Sequence, residues 1–198
     1  KASGGRDAAG AGASEGDPFA SIQYALSQAQ PGDEIRVLPG TYGPIDAAAL
    51  EGTENAPIVI RAHDPDNRPV IDGGGGGTAV NLAGSAHLVF DGLEVKNGGS
   101  DSGGVGFRVH SSSRIVIQSC FVHDNGKYNV YVGKSSQFPG GALQGGFHLI
   151  QGNEVADTSF TPCTGASAED VGHGEEGVGC GGSSSGYAPF GLAFLLGG

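Results

Sequence analysis

The chain has 198 residues, of which 39 are glycine, 3 cysteine and none methionine or tryptophan, and its formal net charge is −11. That length suits a single domain with a sizeable core. The acidic balance argues against nucleic acid and anionic membrane as partners, since both select a basic surface.

Residues 1–17 are small, polar and aperiodic, which predicts a loose leader or edge segment. The chain opens on Lys1 rather than Met, so an upstream secretion signal or added stretch is expected to have been removed. A helix is predicted over 18–30, with Asp17 as N-cap, Pro18 at the first helical position and Phe19, Ile22, Ala25, Leu26 and Ala29 on one apolar face. Pro31-Gly32 stops it. A short amphipathic helix in this place is expected to cap whatever edge follows.

From Ile35 onward short patterns repeat. Ile35-Arg36-Val37, Ile58-Val59-Ile60, Leu88-Val89-Phe90, Ile115-Val116-Ile117 and His148-Leu149-Ile150 succeed one another at steps of 23, 30, 27 and 33. A second pattern, Val80-Asn81-Leu82, Phe107-Arg108-Val109 and Val130-Tyr131-Val132, keeps steps of 27 and 23. A third follows a short polar corner after the first: Leu93 to Lys96, Cys120 to His123 and Asn153 to Ala156. Three alternating strands per repeat, with variable corners between them, predict an all-β chain wound as a parallel β-helix of about five to six rungs over residues 18–157. One inward stripe is expected from Ile35, Ile58, Leu88 and Ile115, another from Val37, Ile60, Phe90, Ile117 and Ile150. Cys120 falls at an inward position and reads as a small buried apolar residue.

The opening carries a resemblance. Gly5-Arg6-Asp7, the run Asp17 to Ala25, the run Ala29 to Val37, Pro39-Gly40-Thr41-Tyr42 and the run Ala56 to Ala62 resemble the first turns of secreted right-handed parallel β-helix proteins. That group includes pectate-lyase-like and chondroitinase-like polysaccharide lyases. The resemblance spans residues 5–157 and bears on fold and secretion more than on any one activity. It implies an extracellular or cell-surface protein and, for the lyases, β-elimination on acidic polysaccharide. There a Lys or Arg is the base, and Ca²⁺ or basic side chains neutralise the uronate.

Alternation sends other residues outward. Lys96, Arg108, His123 and Lys127 are the candidate catalytic residues: the Arg fork suits a carboxylate, and Lys and His suit proton transfer. Asn81, Tyr131 and Gln118 are the candidate substrate-binding residues. Asn97, Asp124 and Asp157 follow the third pattern in successive rungs and are candidate oxygen ligands for Ca²⁺, although Asn and Asp are also ordinary corner residues. Polar side chains on the solvent face of a coil need no function at all, so each patch competes with that reading.

Val59, Val89, Val116 and Leu149 are outward and apolar, which predicts that something covers them. Residues 158–186 read as an irregular acidic region, with Glu169, Asp170, His173, Glu175 and Glu176 better taken as a solvated loop than as a metal site. Cys163 and Cys180 within it are a candidate pair. The apolar stretch 187–198 is shorter than the ~20 residues of a membrane span. Its Phe190, Leu192, Phe194 and Leu195, with the apolar stripe, suggest the alternative of a structural subunit that self-assembles end to end.

Overall fold

The computed structural model describes residues 4–99, 104–133 and 148–158. Apart from one short helix, these form strands stacked in three parallel sheets. The first sheet stacks Glu34–Val37, Ile58–Ala62, Ala86–Asp91, Ser113–Gln118 and Leu149–Gln151. Thr41–Tyr42, Val70–Asp72, Glu94–Lys96, Phe121–Asn125 and Glu154–Thr158 make the second. Ile45–Asp46, Thr78–Asn81, Val105–His110 and Tyr128–Gly133 make the third. The described coil therefore has four complete turns and two strands of a fifth.

The apolar periodicity fixes most of the register. Ile58, Leu88 and Ile115 stand in one row, and Ile60, Phe90, Ile117 and Ile150 in the next. Val80, Phe107 and Val130 align in the third sheet, and Ile71, Val95, Val122 and Val155 in the second. Most of these are wholly buried, and the Phe90 and Phe107 rings meet edge to face at 5.5 Å across the interior. Each such side chain contributes roughly 1.5–3 kcal/mol by leaving water.

One rung departs from the expected register. Ile35 lies beside Ile60 and Val37 beside Ala62, a step of 25 rather than 23. A slip of two residues leaves every side chain on the same face, so an apolar-x-apolar pattern cannot detect it. Ile35 thus joins the Ile60 row instead of the Ile58 row.

The helix is also shorter than expected, running Ile22–Gln28, and its N-cap is Ser21, whose hydroxyl accepts from Tyr24 N. Asp17 is engaged elsewhere: Arg6 Nε and Nη2 donate to its two oxygens at 2.7 and 2.6 Å. Asp7 accepts from the Ala20 and Ser21 amides at 2.9 and 3.0 Å and from the Ser21 hydroxyl at 2.8 Å. Residues 4–17 are tied to the helix start by these contacts. Ile22, Ala25 and Leu26 face the coil, and Gln23 grips the third sheet's first strand, its Nε2 donating to Asp46 O at 3.0 Å and its Oε1 accepting from Asp46 N at 2.8 Å. The predicted cap is present.

Corners make the rest possible. The turn from first to second sheet places Gly92, Ser119 and Gly152 in the left-handed region, at φ 72°, 54° and 61°. Cys120, next in the chain, is free and fully buried, and burial pushes its thiol up to about 12. Between second and third sheets the buried Asn125 accepts from Gly98 N at 2.8 Å and donates to Asn129 Oδ1 at 2.8 Å, so an interior amide pair satisfies the bend. The Cys163–Cys180 pair, the acidic region and the apolar tail with Phe190, Leu192, Phe194 and Leu195 lie outside the described residues.

Candidate functional site: two outer faces

On the second sheet, Lys96 and His123 sit side by side in adjacent turns, as do Glu94 and Phe121. Alternation turns all four outward. Glu94 Oε1 is 3.2 Å from Lys96 Nζ and 3.2 Å from His123 Nε2. The other ring nitrogen, Nδ1, lies 2.6 Å from Asp124 Oδ2, and the Phe121 ring stacks on the imidazole at 4.0 Å. His123 is therefore clamped between two carboxylates, its side chain 12% exposed. A neutral imidazole has one N–H to offer these two acceptors; a doubly protonated one has two. Lys96 is held as an ion-pair partner, and acting as a base requires that pair to open.

The third sheet presents a ladder of Asp46, Asn81, Arg108 and Tyr131, one from each turn. Asn81 Nδ2 donates to Asp46 Oδ1 at 3.0 Å. Arg108 is exposed, and among the described residues its guanidinium has neither a hydrogen bond nor an ion pair. Arg36, by contrast, is paired to Glu34, Arg61 to Asp91, and Arg6 to Asp17. Tyr131 stacks against His110 at 6.5 Å between centroids and lies 5.5 Å from Tyr128, whose ring carries Lys127 Nζ at 4.9 Å. An unpaired cation beside aromatic faces can take a carboxylate with the fork and a sugar ring by stacking.

The sequence-predicted residues are thus divided between faces. Lys96 and His123 meet on the second sheet, while Asn81, Arg108 and Tyr131 meet on the third with Lys127 at its entry turn. Gln118 does not join Asn81 and Tyr131. It belongs to the first sheet, beside Asp91, and accepts from Gln151 Nε2 at 3.2 Å. Sequence reasoning missed Glu94 as the bridge and His110, Tyr128 and Asp46 as neighbours of the ladder. Ile45-Asp46 matches the second pattern but is too short to stand out.

Two of the three candidate Ca²⁺ ligands make other contacts. Asn97, just past its strand, and Asp124, near the end of its own, have φ of 58° and 51°, in the left-handed region. Asn97 Nδ2 donates to Asp72 Oδ1 at 2.9 Å, and Asp124 faces His123. The side chain of Asp157 lies outside the described residues. Among the described residues no three His, Cys, Asp or Glu side chains gather as a metal set. As arranged, Asn97 and Asp124 are turned to Asp72 and His123.

Val59, Val89, Val116 and Leu149 form an unbroken outward row on the first sheet, each half-buried. No helix among the described residues is long and apolar enough to cross a membrane.

Comparison with known proteins places this geometry in context. A family model described as "Pel9A-like, right handed beta helix region" matches residues 3–181. The chain is similar to the GH136 lacto-N-biosidase from Eubacterium ramulus, with a TM-score of 0.63 and 18% identity, over 78% of this chain and 33% of that one. It is also similar to a rhamnogalacturonan lyase, with a TM-score of 0.51 and 16% identity, over 77% of this chain and 49% of that one. For the alginate lyase from Paenibacillus sp. str. FPU-7 the TM-score is 0.49 and the identity 24%, over 69% of this chain and 54% of that one. The likeness is one of fold, and the chain spans between 33% and 54% of these proteins' lengths. No curated protein matches.

Proposed function

Because the chain belongs to the Pel9A-like right-handed β-helix family, we propose that it is an extracellular module that binds an acidic polysaccharide on the outer face of its third sheet. The observation that carries this reading is Arg108, an exposed cation with no anionic partner among the described residues of a protein whose formal charge is −11. Its neighbours suit a glycan. Tyr131 and Tyr128 offer aromatic faces and Lys127 a second cation.

Cleavage is the further step of the proposal. In β-elimination a base removes the proton next to the uronate carboxylate, the bond to the leaving glycosidic oxygen breaks, a C=C forms, and the leaving oxygen is reprotonated. Arg108 would neutralise the carboxylate, and Lys127, at the entry turn of the same sheet, is the proton-transfer candidate there; His123 and Lys96 face outward from the second sheet.

The test is to titrate the chain with polygalacturonate, alginate and hyaluronate, following affinity and the ultraviolet absorbance of the new C=C, with and without chelator. Binding that weakens about tenfold on Arg108→Ala supports the reading. Equal affinity for a neutral glucan, or indifference to Arg108→Ala, rejects it.

A second reading, a structural subunit that self-assembles, is favoured by the row Val59, Val89, Val116 and Leu149, whose alignment over four turns offers a continuous apolar strip. Scattering that grows with concentration and collapses on Val89→Lys supports it. A monomer at every concentration removes it.

A further inference from the structure

Asn81 occupies an unusual position in the third-sheet ladder. Its Nδ2 is spent on Asp46 Oδ1 at 3.0 Å, and Asp46 is itself fixed by Gln23. Its Oδ1 is shut off from solvent and has no hydrogen-bond partner, alone in this among the described side-chain atoms. A buried acceptor without a donor costs about 1–3 kcal/mol and calls for an explanation. Arg108 stands directly beside Asn81 in the next turn and has donors to spare.

We infer that Asn81 is a positioning residue for Arg108: when an anion engages the guanidinium, one of its N–H groups turns down onto Asn81 Oδ1 and the remaining fork faces the ligand. The orphan acceptor is then a seat kept for the bound state. Adjacency supports this over direct ligand contact: Oδ1 is covered by the protein's own atoms, so a ligand reaches it only by displacing them, whereas Arg108 is already its neighbour in the ladder. Tyr131 stands on the far side of Arg108 in the same ladder. A lysine at 108 has three donors on one point charge but no planar fork, so it could not hold a carboxylate bidentately while also donating to Asn81.

The inference rests on the glycan-binding reading, so the experiment separates the two. Affinity for whichever of polygalacturonate, alginate and hyaluronate binds best is measured for Arg108, Arg108→Lys and Arg108→Ala, each with Asn81 and with Asn81→Leu. Asn81→Ala serves as a second variant if Asn81→Leu folds poorly. With Asn81 present, Arg108→Ala and Arg108→Lys each weaken binding about tenfold. With Asn81 replaced, Arg and Lys bind alike and the loss to Ala shrinks to about twofold, a coupling that purely structural damage would not produce. Additive effects, with the Arg-over-Lys preference intact, overturn the inference alone. Absence of Arg108-dependent binding overturns the glycan reading and the inference with it.

Discussion

His123 reaches across one turn of the coil to Glu94, its Nε2 3.2 Å from the carboxylate oxygen that also holds Lys96. One carboxylate thus sets the orientation of both second-sheet candidates. All three side chains keep some contact with water, 12% to 34% exposed, and pairs so placed add little stability. Glu94→Gln is expected to lower unfolding free energy by less than about 1 kcal/mol in urea. If the cluster takes part in elimination, the same variant alters the rate of C=C formation several-fold. A loss well above that stability figure would make Glu94 structural.

Ser119 offers a gain. Gly92 and Gly152 fill the same corner in the turns on either side, and all three residues have positive φ. A side chain in that region costs roughly 1–2 kcal/mol, and glycine's extra unfolded-state freedom returns up to about 1 kcal/mol of it. Ser119→Gly is expected to stabilise the fold by about 0.5 kcal/mol, read as a higher denaturation midpoint. A lower midpoint would mean that the Ser119 side chain contributes contacts worth more than the strain.

Gly106 offers the opposite case. A Cβ there would collide with the Asn129 carbonyl oxygen and stand 2.8 Å from Asn125 Nδ2 and 2.9 Å from Val122 Cγ1. These are a neighbouring backbone and a buried network, neither able to retreat. Gly106→Ala is expected to cost about 2 kcal/mol or more, measured by chemical denaturation, whereas Gly74→Ala in an open corner is limited to the strain of its φ of 63°.

His148 links stability to pH. Burial holds its imidazole below the ordinary value of 6.5, and Nδ1 accepts from Ile115 N at 3.4 Å, a role the protonated ring loses. The folded chain therefore refuses a proton that the unfolded chain accepts. Its contribution is intact above about pH 6.5 and is lost as pH falls through the window down to the lowered folded value. His148→Asn, which keeps a short acceptor without the titration, is expected to flatten the fall in unfolding free energy between about pH 7 and pH 5 relative to the parent. An unchanged slope would place that dependence elsewhere.

The expected right-handed parallel β-helix is what the chain forms, and the reason is visible in residues such as Leu88 and Ile115. Their neighbours alternate strictly, so both sidedness and register could be read from sequence. Ile35 was legible only in sidedness. Thr41–Tyr42 and Ile45–Asp46, two residues each, fall below the length at which alternation registers. The outer faces were harder. The patterns put Gln118 and Tyr131 on different strands of the repeat, as the sheets do, but do not say which side chains meet across a face, since this depends on corner geometry. The Glu94 bridge joins residues 29 apart in sequence, and no local pattern announces it.

Every strand in the coil finds its partner between 23 and 35 residues away, from the Phe107–Val130 pairing to that of Ile45 with Val80. A turn standing alone leaves its edges unpaired, so each is stabilised chiefly by the turns stacked against it. Drawn out by its ends, such a chain yields in discrete lengths of one rung each, like thread leaving a spool. The first winding is knotted to the helix by Gln23, so load along the axis would meet that tie as well as the ladder of its own strands.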